Sequence, residues 1–134
     1  MNIDNSIIDD EVKIIELIKS NVNPINYIEN EKDIDLICNA ISKTNKSEDS
    51  YFDDMADILL KAIIYYLISN ENELKTLGRC QELVTLGIND KETIKSMLNS
   101  NESSKALYTG IDIASDNNYK EIFKTLNNKL SNIK

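Results

Sequence analysis

Apolar residues recur every three or four positions from about residue 30 onward, and this spacing constrains the fold more than any other feature. In one segment the repeat runs through Ile34, Ile37, Cys38 and Ile41, which places these side chains on one face of an α-helix. Five further segments show the same spacing, separated by short polar stretches. We therefore expect an all-α fold, a single bundle of about six helices, which suits a chain of 134 residues.

Capping residues predict where these helices begin and end. Asn30 is a suitable N-cap with Asp33 in the first turn, Ser50 is expected to cap a long second helix, and Thr76 to cap the third. Gly87 is placed to stop the third helix, because glycine is common just past a helix C-terminus. The other helices are predicted to begin near Asn89 or Asp90, to span residues 102–115, and to begin near Asn118.

The first 22 residues do not follow this pattern. Residues 1–11 are mostly polar and acidic, as in a terminal segment that frays. Val12–Ile18 is a β-branched run that reads as one strand, but a lone strand leaves its backbone groups unpaired. The run is therefore either a helix or the edge of a sheet outside this chain. We divide the sequence into a leader, residues 1–22, and an all-α domain, residues 23–134.

The composition argues against an ordinary active site. The chain contains no His, no Trp, a single Arg and three Gly that stand apart. His is the commonest general base and a frequent metal ligand, and two Cys are too few for a closed zinc site. Scattered glycines cannot form a phosphate-binding loop. We expect no catalytic residue, no cofactor and no metal ion.

Cysteine usage and hydropathy favour a soluble, cytoplasmic chain. Cys38 and Cys80 occupy apolar-periodic positions, where a buried free thiol is the default and a disulfide is the less favoured alternative. The N-terminus lacks the basic start and apolar run of a signal peptide. The longest apolar window, residues 58–68, is interrupted by Lys61 and is too short to span a bilayer.

The net charge of −8 is unevenly distributed, with −9 over residues 1–60 and +1 over residues 61–134. An acidic surface disfavours nucleic acid and anionic membranes and suits a basic protein partner. The candidate contact residues for such a partner are the acids before and within the long second helix: Glu48, Asp49, Asp53, Asp54 and Asp57.

Three other interpretations of the sequence stay open. The acidic residues can simply form a solvated face. The chain can also be a DNA-binding helical domain, with phosphate contacts from lysines of the second half: Lys91, Lys95, Lys120, Lys124 and Lys129. The third interpretation is a standalone regulatory bundle that dimerises through Val12–Ile18.

Two stretches of the sequence carry a family resemblance. Residues 23–28 read Asn-Pro-Ile-Asn-Tyr-Ile and are followed by Glu31 and Asp33-Ile34; residues 49–52 read Asp-Ser-Tyr-Phe. They resemble the Asn-Pro-Leu-x-Tyr-Ile…Glu-x-Asp-Ile and Asp-x-Phe-(Phe/Trp) stretches of type IV secretion coupling proteins, the membrane-anchored ring ATPases of conjugation. The likeness continues through the long helix and covers residues 12–133 more loosely; the further matching positions are Ala56, Leu59, Leu60, Ala62, Tyr66 and Leu67.

The resemblance implies that this chain is the all-α domain of such a protein, a helical insertion in its nucleotide-binding domain at the cytosolic end of the ring. In the family, that domain is thought to help recognise the transferred substrate: a relaxase, other relaxosome proteins, or their DNA. Val12–Ile18 then corresponds to the edge of the parent's sheet. The family's Walker motifs and membrane anchor have no counterpart here. The expectation is an excised, monomeric, non-enzymatic domain of a hexameric parent, with a freestanding relative as the alternative and no small-molecule substrate.

Overall fold

The computed structural model describes residues 10–44 and 49–133. In these ranges it shows seven α-helices, one short 3-10 helix and no strand, which confirms the all-α class. In chain order the elements are α1 (Glu11–Lys19), the 3-10 helix (Pro24–Tyr27), α2 (Glu31–Thr44), α3 (Ser50–Ser69), α4 (Leu77–Asn89), α5 (Lys91–Leu98), α6 (Glu102–Asp112) and α7 (Asp116–Asn132).

The 20-residue helix α3 is the centre of the bundle. Helices α2, α6 and α7 pack along it, and α4 and α5 make smaller contacts with it. Its apolar face is accordingly wide, because a helix covered on several sides must present apolar side chains over much of its circumference. Its fully covered side chains include Ala56, Leu59, Ala62, Ile63, Ile64 and Leu67.

The segment read as a strand, Val12–Ile18, is helical, so the strand interpretation is wrong. Asp10 caps α1 by accepting a hydrogen bond from the Lys13 N–H at 2.7 Å. Ile14 and Ile18, one turn apart, are both buried where α1 packs against α2. Their burial outweighs the weak helix propensity of β-branched residues, which tertiary context routinely overrides. Helix α1 therefore shares the core of the bundle.

Most of the predicted caps are confirmed. The side chains of Asn30, Thr76 and Asp90 accept hydrogen bonds from backbone N–H groups in the first turns of α2, α4 and α5 at 2.9–3.1 Å. The cap of α3 is Asp49 rather than Ser50, since the Asp49 carboxylate accepts from the Tyr51 N–H at 2.9 Å. Helix α6 ends at residue 112 instead of 115, and Ser115 caps α7, which starts at residue 116.

The prediction that Gly87 stops α4 is wrong, because this residue lies within the helix. A Cβ atom at this position would overlap the ring of Phe123 on α7, so glycine is required here by the close approach of the two helices. The Gly87 carbonyl also accepts a hydrogen bond from the hydroxyl of Tyr119 at 3.0 Å. The packing of α7, rather than a helix end, explains this glycine.

The Asn-Pro pair lies in the connection between α1 and α2, and Asn23 links it to the connection between α3 and α4. Pro24 occupies the first position of the 3-10 helix, where its missing N–H costs no hydrogen bond. The Asn23 side chain accepts from the Ile25 N–H at 3.3 Å and donates to the carbonyl of Lys75, in the connection between α3 and α4. The motif therefore has a structural role in holding these connections together.

Candidate partner-binding surface

The structure separates the predicted acidic contact residues from one another. Glu48 lies outside the described residues. Asp49 is exposed but engaged as the N-cap of α3, and Asp54 is exposed on the first turns of the same helix. Asp53 is buried, and Asp57 is partly buried. Of the described candidates, Asp54 is thus the one that faces solvent without a capping role.

Asp53 is buried and cannot belong to a solvated acidic face. Its carboxylate lies 2.9 Å from the ammonium of Lys129 on α7, a side chain that is only 2% exposed. Lys129 also donates to the carbonyl of Ser42 at 3.2 Å. Charged side chains are almost never fully buried unless they are paired, and here the pairing explains the burial. Asp53 and Lys129 are therefore structural, and neither can serve as a surface contact.

Asp57 is mostly covered and interacts with Lys61 one turn later. The two residues form an i,i+4 pair, with 3.5 Å between the ammonium and one carboxylate oxygen. The other oxygen, Oδ1, is buried and has no hydrogen-bond partner among the described residues. Burial raises the pKa of Asp57 above its ordinary value, and nearby Asp35 and Asp54 add to the rise against the lowering effect of Lys61.

Two acids of α2, Glu31 and Asp35, complete a surface that the sequence did not predict. Asp35 lies 3.3 Å from the ammonium of Lys61, so it meets the polar face of α3. Glu31 and Asp35 lie one turn apart, opposite the apolar stripe of α2, so the sequence could have indicated that this face of the helix is exposed. It could not have indicated that α3 lies beside this face. We call Glu31, Asp35, Asp54 and Asp57 the α2–α3 acidic surface.

The α2–α3 acidic surface has an excess of negative charge. Two of its four carboxylates, those of Asp35 and Asp57, pair with one ammonium group, that of Lys61. Burial lowers the pKa of Lys61, but the Asp57 and Asp35 carboxylates together outweigh burial, and the net pKa is raised. Lys61 therefore stays charged and neutralises only part of the surface.

The five lysines proposed for phosphate contacts do not form a common basic face. Lys129 is buried. Lys95 is paired with Asp112 at 3.2 Å, and the ammonium of Lys91 lies 4.6 Å from the centre of the Tyr119 ring. Lys120 and Lys124 remain exposed on α7. Two exposed ammonium groups form a much smaller phosphate-binding surface than the five predicted.

Both cysteines are buried free thiols, as predicted. Burial raises the pKa of Cys80 to about 12, and burial followed by the charge of Asp57 raises the pKa of Cys38. Since the thiolate is the nucleophile, a thiol that stays protonated at neutral pH is inert. Cys38 and Cys80 therefore act as packing residues.

The described residues contain neither a cluster of metal-binding side chains nor a helix suited to a membrane. Over residues 10–44 and 49–133, no three His, Cys, Asp or Glu side chains are grouped so that they could hold a metal ion. In the same ranges, no helix combines the length and apolarity needed to cross a membrane. No family model, curated protein or solved structure matches the chain.

Proposed function

We propose that this chain is a protein-interaction domain that binds a basic protein through the α2–α3 acidic surface. The observation that carries the proposal is the set of four carboxylates on two adjacent helices, two of which share the ammonium of Lys61. Complementary charge accelerates encounter and selects the partner more than it adds affinity. Binding is therefore expected to be weak and to fall as salt is added.

The sequence resemblance suggests which class of protein the partner belongs to. We propose a relaxase or a relaxosome accessory protein, bound by this domain on the cytosolic side of a membrane-anchored coupling ATPase during conjugative DNA transfer. In this proposal the domain recognises the substrate and does not hydrolyse nucleotide. The net charge of −8 supports a basic protein in preference to DNA.

The test is a titration of the domain with a purified cognate relaxase and, separately, an accessory protein, followed by fluorescence anisotropy. Asp54→Lys reverses a charge on the α2–α3 acidic surface, and Glu121→Lys makes the same change on the exposed face of α7. We expect Asp54→Lys to weaken binding about three- to tenfold at low salt and Glu121→Lys to have a smaller effect. The proposal is wrong if neither protein binds at low salt, or if the two variants weaken binding equally.

A further inference from the structure

A cleft opens where α2, α3 and α6 meet, and Glu31 and Asp35 of the α2–α3 acidic surface form part of its lining. Its volume is about 390 Å³, and its lining residues come from all three helices: Glu31, Asp35, Lys61, Tyr65, Ser103 and Leu107. The cleft is lined by charged, aromatic, hydroxyl and apolar groups together. Such a mixed lining can select one type of side chain, because its polar groups fix orientation while its apolar walls provide contact area.

The charge that the cleft offers to a ligand is negative. Lys61 is held between Asp35 and Asp57 at 3.3 and 3.5 Å, so its charge is already shared by two carboxylates. The Glu31 carboxylate is exposed and makes no ion pair or hydrogen bond within the described ranges. Burial raises the pKa of Tyr65, and the charges of Glu31 and Asp35 raise it further. The phenol ring therefore lies in the negative field of these carboxylates.

The walls of the cleft suit a long, flat cation. Tyr65 and Leu107 are half-buried and belong to the edge of the core, so they present fixed apolar surface. A guanidinium group stacks on an aromatic ring, donates two parallel hydrogen bonds to a carboxylate, and is weakly hydrated. The methylene stem that precedes it packs on apolar side chains. A lysine ammonium is a compact, strongly hydrated charge and gains less from the same walls.

We infer that this cleft holds an arginine side chain of the basic partner, with the guanidinium between Glu31 and Tyr65 and its stem against Leu107. The inference rests on the proposed function, because it gives the α2–α3 acidic surface an anchoring point. It adds a chemical preference that charge alone does not provide. A partner that presents arginine binds more tightly than one that presents lysine at the same position.

The test compares two short labelled peptides of equal length and charge, one built from arginine and one from lysine. We expect the arginine peptide to bind the full chain about threefold or more tightly at low salt. Tyr65→Leu keeps an apolar wall but removes the ring, so it should weaken the arginine peptide more than the lysine peptide and reduce the preference. Equal binding of the two peptides by the unmodified chain would overturn the inference.

A second pair of variants locates the peptide. Glu31→Gln removes a carboxylate from the cleft, and Glu121→Gln removes one from the exposed face of α7. We expect about two- to fivefold weaker arginine-peptide binding for Glu31→Gln and a smaller change for Glu121→Gln. Amide chemical shifts of residues 31–35 and 61–65 should move on titration. Shifts confined to other helices would contradict the site.

The failure of this inference and the failure of the proposed function give different results. If the relaxase or accessory protein binds and depends on Asp54 but not on Glu31 or Tyr65, the α2–α3 acidic surface is supported and the arginine cleft is rejected. If the arginine peptide binds in the cleft while neither protein binds, the cleft is supported and the proposed partner is rejected.

Discussion

The carboxylate of Asp53 on α3 and the ammonium of Lys129 on α7 lie 2.9 Å apart inside the bundle. Lys129 also donates to the carbonyl of Ser42 on α2, so one ammonium group connects three helices. Taking two charges out of water is costly, and their mutual attraction offsets that cost only while both are present. Substitution of either residue therefore removes the opposite charge nearest to the remaining buried group.

We predict that Asp53→Ala lowers the free energy of unfolding by about 3 kcal/mol, because it removes the carboxylate that lies 2.9 Å from the buried Lys129 ammonium. Urea denaturation followed by circular dichroism measures the change. The matched control is Asp54→Ala at the adjacent exposed position, where we expect less than about 0.5 kcal/mol.

The double variant Asp53→Leu with Lys129→Met should recover most of the lost stability, since it replaces the ion pair with apolar side chains. Equal stabilities for Asp53→Ala and Asp54→Ala would show that the buried pair contributes nothing beyond an exposed acid.

Gly87 gives a second prediction, because its neighbour Phe123 leaves no room for a side chain. We expect Gly87→Ala to destabilise the fold by about 1–3 kcal/mol, as overpacking outweighs the better helix propensity of alanine. Gly110 in α6 is the control: apart from its chain neighbours and the adjacent backbone of its own helix, no atom lies within 4 Å of an added Cβ, so Gly110→Ala should raise the melting temperature. A stabilising effect of Gly87→Ala would mean that α4 and α7 are farther apart than described.

The apolar periodicity was sufficient to predict the helices from residue 30 onward, because the 3-4 spacing of buried residues is a local property of each helix. It was not sufficient for α1. There the β-branched run Val12–Ile18 favours a strand locally, and the burial of Ile14 and Ile18 against α2 decides for a helix. Gly87 was misread for the same reason, since Phe123, which requires the glycine, lies on another helix.

The candidate site was less predictable than the fold. Periodicity indicates which face of a helix is polar, but it does not indicate which helix lies beside that face. Asp53 was placed with Asp54 and Asp57, yet it pairs with Lys129 from the end of the chain. Asp35 was overlooked, although it meets Lys61 across the α2–α3 contact. Both relationships depend on helix packing that spacing along one segment cannot reveal.

The raised pKa of Asp57 predicts an unusual dependence of stability on pH. Since folding raises this pKa, the native state binds the proton more tightly than the unfolded chain, and ionised Asp57 costs stability at neutral pH. Asp57→Asn should therefore be more stable than the unmodified chain at about pH 7. The advantage should shrink as pH falls through the raised native pKa, and vanish near pH 3. Urea titrations across this range measure it.

Glu73 provides a control for Asp57, because folding shifts its pKa in the opposite direction. Arg79 donates two hydrogen bonds to the Glu73 carboxylate, at 2.8 and 3.1 Å, and these lower the pKa of Glu73. Burial raises this pKa, but a hydrogen bond from the Tyr66 hydroxyl at 2.6 Å also lowers it, and the net pKa is lowered. Glu73→Gln should therefore lose about 1–2 kcal/mol at neutral pH. That loss narrows as pH falls through the lowered native pKa. If both variants shift stability in the same direction at neutral pH, the assignment of Asp57 is wrong.

The exposed lysines of α7 give the last prediction, which separates a protein partner from DNA. Lys120 and Lys124 are exposed with Glu121 between them, while Lys95 is paired with Asp112. Each phosphate contact adds about one unit to the salt slope, so two contacts give weak binding that the net charge of −8 opposes. At low salt, we expect no electrophoretic shift of single- or double-stranded DNA until the protein concentration reaches roughly tens of micromolar. A shift at low micromolar protein that disappears in Lys120→Glu with Lys124→Glu would instead identify α7 as a DNA-binding face.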